Sequence, residues 1–325
     1  MPSANETTLF HGLEMKAQRA GVPHVRRFVV SNESYRFKIG AFECIAVSDG
    51  TFAYALDAFV ANTPVERFEQ ELRNHNLPTN EVISPYTCLL VNTGKHRLLV
   101  DTGAGFAPTN GKLIDNLAAV GVAAADIDTI VLTHGHADHI GGTADSTGAP
   151  LFPNARYVMW QSEWDFWNQE HPDLAAMPVE DHLRHLLIDF AHAKLPPIRG
   201  QIDLIDREGE IVPGVYAIPA PGHTPGHIAL LISSGNQQLL HMADTVLHPI
   251  LMEHADWRPT FDLMPEQAAA TKRQILDRAA VDQVLALAFH FPFPGLGRVL
   301  PKGDAWQWQP IETFDQAADT RAAGE

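Results

Sequence analysis

The sequence predicts an α/β fold, and three observations carry the prediction. Segments of strand character alternate with segments of helical periodicity along nearly the whole chain. No internal stretch rich in glycine, serine or charge interrupts the alternation, which favours one compact domain over two. With 325 residues, 45% of them hydrophobic, the chain can bury a large core.

Residues 1–34 read as an N-terminal arm ahead of a main domain spanning 35–325. Leu9, Phe10, Leu13 and Met15 would suit docking of the arm on a second copy in a homodimer, and a frayed terminus fits as well. From Tyr35 the pattern turns to strands: Phe37, Ile39, Phe42, Cys44, Ile45 and Val47 lead to Ser48-Asp49-Gly50, read as the turn of a hairpin returning through 51–54. A helix fits 64–74, with Thr63 as its cap and Pro64 at its first position. Strands follow at 86–92 and 96–101, separated by Thr93-Gly94. Leu113, Leu117 and Val120 fall on one face of a helix over 111–120, and 129–132 is a short strand apolar throughout. Downstream come a strand at 156–160, helices at 162–167 and 179–193, a strand-rich half from 202 to 243, a helix at 265–279 and a strand at 284–289.

A formal net charge of −16 argues against general affinity for nucleic acid or anionic membrane, because phosphate binding rests on clustered lysine and arginine. No run approaches the ~20 apolar residues of a membrane span. The first 21 residues lack the apolar core of a secretory signal, so a cytoplasmic location is expected. Cys44 and Cys88 each sit in an apolar strand and are expected as buried free thiols.

Chemistry concentrates after the strand at 129–132. In His134-Gly135-His136-Ala137-Asp138-His139, four ligand-type side chains occupy six positions, and imidazole with carboxylate suits Zn²⁺ and related divalent ions. A histidine-rich surface loop would be ordinary for one or two such residues in a chain with 17 histidines, but not for four at this spacing. Three further candidates follow later strands. His223 lies in Pro221-Gly222-His223-Thr224-Pro225-Gly226-His227, where His227 is expected to support the turn by hydrogen bonding. Asp244 ends the strand at 238–243, where a carboxylate can offer one oxygen to each of two cations, although a helix cap would look the same. His290 ends the last apolar strand, where a core histidine is the plain alternative.

Together, these motifs resemble the metallo-β-lactamase superfamily, from Ser48-Asp49-Gly50 through Asp101-Thr102-Gly103 and the histidine motif to His290. The resemblance implies a four-layer αββα sandwich with the site at the edge between two sheets. It also implies one metal on His134, His136 and His223, another on Asp138, His139 and His290, and Asp244 bridging them. Asp101 would stand behind a ligand imidazole and orient it. Two divalent ions are expected, zinc first, with Mn, Co and Fe compatible. Two cations sharing a water lower its pKa from ~15.7 toward ~7, which supplies the attacking hydroxide, with Asp138 and Asp244 as the catalytic carboxylates.

Phe152-Pro153-Asn154-Ala155, Asp165-Phe166-Trp167 and Phe293-Pro294-Gly295-Leu296-Gly297 are similar to the branch containing methyl parathion hydrolase and its lactone-hydrolysing relatives. On that likeness Phe106, Trp167 and Leu247 would line an apolar pocket, or else simply pack the core. The expected substrate is a small neutral lactone, aryl ester or phosphotriester. Acyl-homoserine lactonases carry a tyrosine shortly after the bridging aspartate, whereas Thr245, Val246 and Leu247 follow Asp244 here. A β-lactamase would be at odds with the missing signal peptide, and a thioesterase of the glyoxalase II type with the lack of a basic patch after Pro265. Diiron reductases carry a glutamate where His136 stands, and a scaffold that had lost its chemistry would not retain all seven ligand-type residues.

Overall fold

In the computed structural model, which describes residues 33–105 and 108–312, two seven-stranded sheets face each other. The first runs β1 (Ser34–Ile39), β2 (Phe42–Tyr54), β3 (Val82–Asn92), β4 (Arg97–Val100), β5 (Thr129–Val131), β6 (Arg156–Trp160) and β7 (Ile202–Ile205), in that spatial order. It is antiparallel up to β4 and parallel from β4 to β7. The second is built from β8 (Gly209–Val212), β9 (Val215–Pro219), β10 (Ile228–Ser234), β11 (Gln237–Ala243), β12 (Leu285–Ala288), β13 (Leu296–Lys302) and β14 (Ala305–Pro310). Its one parallel pairing is β11 with β12.

Helices cover both outer faces: α1 (Val65–Asn74), α2 (Leu113–Ala119), α3 (Ala137–Ile140), α4 (Gln161–Trp167), α5 (Asp181–Lys194), α6 (Ile250–Glu253) and α7 (Pro265–Asp282). Strand alternation divides the core into three layers. On β3, Leu89 and Val91 point between the sheets, where they meet Leu230 and Leu287; Cys88 and Leu90 point outward to Leu117 of α2 and Trp164 of α4. Leu240 and Met242 of β11 face Phe68 of α1 and Leu276 of α7. The layers are therefore helix, sheet, sheet, helix, and strands buried on both faces explain the apolar runs.

Cys44 and Cys88 are buried free thiols on opposite faces of the first sheet. Burial pushes the Cys44 thiol up to about 12 and raises Cys88 as well, so both are inert at neutral pH.

Ser48-Asp49-Gly50 is not the turn of a hairpin. The chain reverses earlier, between Ile39 and Phe42, and β2 continues to Tyr54 through an irregularity between Ser48 and Gly50. Asp49 accounts for the difference: its buried carboxylate accepts the N–H groups of Ala104, Gly111 and Leu113 at 2.8, 3.1 and 2.9 Å. Burial raises its pKa to about 6 in spite of those bonds. The first helix begins one residue later than expected, at Val65, with Pro64 at the cap and no side-chain capping bond. Strands β13 and β14 and the short α6 have no counterpart among the expected elements. Of the expected arm, only residues 33 and 34 are described, and Ser34 already belongs to β1. Among the described residues, no helix is long and apolar enough to cross a membrane.

Candidate metal centre

Five strands deliver the chemistry to one place. Asp101 follows β4, the histidine motif follows β5, His223 follows β9, Asp244 follows β11 and His290 follows β12. The seven ligand-type residues come together there in three overlapping groups: His134, His136, His223; His134, His139, Asp244; and Asp138, His139, His290.

In the first group, Nε2 of His134 is 3.1 Å from Nδ1 of His136, which is 2.8 Å from Nε2 of His223. In the other, Oδ2 of Asp138 is 3.7 Å from Nε2 of His139 and 3.4 Å from Nε2 of His290. Asp244 touches both: Oδ2 lies 3.4 Å from Nε2 of His223 and 2.9 Å from that of His290, while Oδ1 lies 3.3 Å from Nε2 of His139.

Outer partners fix which imidazole nitrogen is bare. Nδ1 of His139 donates to Asp101 Oδ2 at 2.8 Å, and Nδ1 of His223 donates to Asp262 Oδ1 at 2.9 Å. Nδ1 of His290 lies 3.2 Å from the Pro85 carbonyl and 2.9 Å from Ser84 Oγ. An imidazole that donates through Nδ1 turns Nε2 inward, so three rings aim that nitrogen at the cluster, where a cation would take the place of its proton. Asp101 also accepts the backbone N–H and hydroxyl of Thr133, at 2.8 and 2.9 Å. It holds this place with φ +61°, a left-handed backbone uncommon outside glycine.

The residues fit a pair of cations. His139 Nε2 and Asp244 Oδ1 lie 3.3 Å apart without the alignment of a hydrogen bond and have no hydrogen-bond partner among the described residues, which is costly unless something else satisfies them. Burial lowers the pKa of His134 and His136, keeping them neutral as ligands must be. Burial acts the same way on His139, but Asp244, Asp101 and Asp138 outweigh it and raise the net value. Burial would raise Asp244, yet His290 and His139 hold it well below the usual carboxylate range. Carboxylates this dense call for positive charge, which a divalent ion supplies.

Supporting residues close around the cluster. His227 behaves as a turn support: Nδ1 donates to the Ala220 carbonyl at 2.9 Å, and Nε2 accepts the Asp244 N–H at 3.1 Å. Glu163 of α4 joins two ligand-bearing loops, since Oε1 accepts the Gly135 N–H at 2.8 Å and Oε2 the Gly226 N–H at 2.7 Å. Both positions need glycine. A Cβ on Gly135 would fall 2.3 Å from Trp167, and one on Gly226 would fall 2.4 Å from the Glu163 backbone.

A cavity opens beside the cluster. Leu247 lines it, with Phe52, Leu183, Leu187 and Phe261. Trp167 does not. It is 0% exposed, because its indole N–H donates to Glu163 Oε1 at 2.7 Å and draws the ring beneath Gly135. Phe106 lies outside the described residues. Glu163, Asp262, Ser84 and the cavity tyrosines Tyr54 and Tyr86 escaped the sequence reading, since each sits in a strand, helix or loop with no local pattern pointing to the site.

The metallo-beta-lactamase superfamily profile matches residues 83–290. An N-acyl homoserine lactonase from Bacillus sp is 27% identical over 183 residues, covering 50% of this chain and 64% of that protein. A probable metallo-hydrolase from Mycobacterium tuberculosis is 30% identical over 190 residues, covering 49% of this chain and 56% of that protein. The chain thus spans less than two thirds of the length of these relatives. Among solved structures, the dizinc quorum-quenching lactonase AidC, in complex with a product, superposes with a TM-score of 0.82 at 29% identity, covering 87% of this chain and 98% of that one. The hydrolase AbOPH superposes with a TM-score of 0.78 at 26% identity, covering 87% and 99%.

Proposed function

This chain belongs to the metallo-beta-lactamase superfamily, and from that premise we propose that it is a two-cation hydrolase of small neutral lactones. His134, His136 and His223 would hold one cation, Asp138, His139 and His290 the other, with Asp244 between them; zinc suits this donor set. The observation that carries the reading is Asp244 Oδ2, placed 3.4 Å from His223 Nε2 in one group and 2.9 Å from His290 Nε2 in the other. When bound, such a pair of ions lowers the pKa of a shared water toward about 7 and polarises the scissile carbonyl.

The remaining work belongs to the protein. Asp138 makes its described contacts through Oδ2, which leaves Oδ1 to accept a proton from the attacking water. Asp101 and Asp262 keep their imidazoles turned toward the cluster, and His227 keeps Asp244 in place. Leu183, Leu187, Leu247 and Phe261 form an apolar wall that excludes water and would take a hydrocarbon substituent. Among the described residues, no charged side chain lines the cavity except candidate ligands, so an uncharged substrate fits best.

The named lactonases among the relatives support this substrate class. The same uncharged wall would admit aryl esters and phosphotriesters, the other substrates of the methyl parathion hydrolase and lactonase branch, as accompanying activities. The test is turnover by metal-loaded protein of N-acyl homoserine lactones, γ-alkyl lactones, aryl esters, paraoxon, S-acyl glutathione and nitrocefin. Lactones should give the highest kcat/KM. Preference for nitrocefin or the thioester would overturn the reading.

A further inference from the structure

Among the described residues, Tyr54 and Tyr86 carry the only side-chain hydrogen-bonding groups that line the cavity apart from candidate ligands. Their hydroxyls lie 3.0 Å apart, and neither has another protein partner there. Two phenols hold two protons, and one O–H···O bond uses only one of them. Tyr86 is the inner member, 4% exposed, with its ring against Phe289 at 5.7 Å and edge-on to His290 at 5.4 Å. Tyr54 is half-buried between Phe52 and Phe261, which both line the cavity. A buried donor must find an acceptor, so the inner phenol donates to the outer one. The proton of Tyr54 is then left for whatever occupies the cavity.

We propose that Tyr54, oriented by Tyr86, is a catalytic residue whose hydroxyl donates a hydrogen bond to the leaving oxygen of the substrate ester. The inference rests on the hydrolase reading above. With the hydrocarbon part of the substrate on the apolar wall, its ester group must lie at the ligand cluster, which the pair borders through the contact of Tyr86 with His290. When the acyl C–O bond breaks, its electron pair stays on the leaving oxygen, and a bond donated to that oxygen strengthens as the charge grows. Tyr54 keeps its proton throughout. The proton that Asp138 takes from the attacking water is the one delivered to the leaving oxygen.

The test compares wild type, Tyr54→Phe and Tyr86→Phe, each matched for metal content and melting temperature, on a γ-alkyl lactone and on a 4-nitrophenyl ester. The lactone leaves as a basic alkoxide and the nitrophenolate needs little help. Tyr54→Phe should lose about tenfold or more in kcat on the lactone, with KM within about twofold and the nitrophenyl ester within about threefold. Tyr86→Phe should show the same selectivity to a smaller degree. By calorimetry, the hydroxy-acid product, whose new hydroxyl occupies the leaving position, should bind more weakly to Tyr54→Phe. Equal losses on both substrates, a rise in KM alone, or no change would overturn the proposal. A wild type inactive on lactones would contradict the substrate reading instead, and the comparison is then made across the ester or phosphotriester series it does hydrolyse, ranked by leaving-group basicity.

Discussion

The backbone N–H of Asp244 donates to Nε2 of His227 at 3.1 Å, while Nδ1 of the same ring donates to the Ala220 carbonyl. One buried imidazole therefore ties the carboxylate between the two ligand groups to the loop that carries His223. Replacing His227 with alanine leaves both backbone groups unpaired and opens a small void. We expect a loss of about 2–4 kcal/mol in denaturant unfolding of the metal-free protein. Unchanged stability would mean that the ring holds nothing in place.

Glu163 makes the corresponding link between the loops of His136 and His223 through Gly135 and Gly226. Glu163→Gln keeps the shape but turns an amide N–H₂ toward a donor on one side. Metal on the three-histidine group should then be stripped by chelator before metal on the Asp138 group, whereas wild type loses the two closer together. Equal retention in variant and wild type would remove this role from Glu163.

Asp262 fixes the tautomer of His223 from outside the cluster. Asp262→Ala should weaken metal binding by about 10–100-fold, as loss of such outer carboxylates does. Competition with a chromophoric chelator measures it, and an affinity within about twofold of wild type would contradict the assignment.

A pH dependence follows from His248, which is buried edge-on to Phe59 and accepts the Ile250 N–H at 3.2 Å. Burial, with some repulsion from His75, holds its pKa down at about 3. In the unfolded chain His248 takes up a proton as pH falls through about 6.5. Between those values the unfolded state binds more protons, so the folded state loses stability as pH falls through the window and gains none from this group above it. His248→Asn, whose Oδ1 can replace the lost acceptor, should flatten the acid side of the stability profile. A slope identical to wild type would place the acid sensitivity elsewhere.

What the sequence made legible divides along physical lines. The ligand-type residues stand out because each follows an apolar strand and because imidazole and carboxylate are rare neighbours in such positions. Their outer partners do not, since Asp262, Ser84 and Glu163 meet the cluster only through tertiary topology. The Ser48-Asp49-Gly50 segment misled for the same reason: its turn chemistry is real, but the carboxylate serves residues 104, 111 and 113 rather than its own chain reversal. Strands β13 and β14 carry Pro301 and Pro310, which weaken a strand pattern, yet both tolerate it near the edge of the second sheet. Trp167 is a pocket residue only by the family likeness of Asp165-Phe166-Trp167, and only the buried Glu163 reveals why its ring turns inward.

The most direct test is metal content measured together with activity, on purified wild type and on Asp244→Ala. Wild type should hold about two divalent ions per chain, lose turnover on chelation and regain it with zinc, while Asp244→Ala should fall to about one ion or fewer with no turnover. A pure, active wild type free of metal and indifferent to chelators would contradict the two-cation site outright.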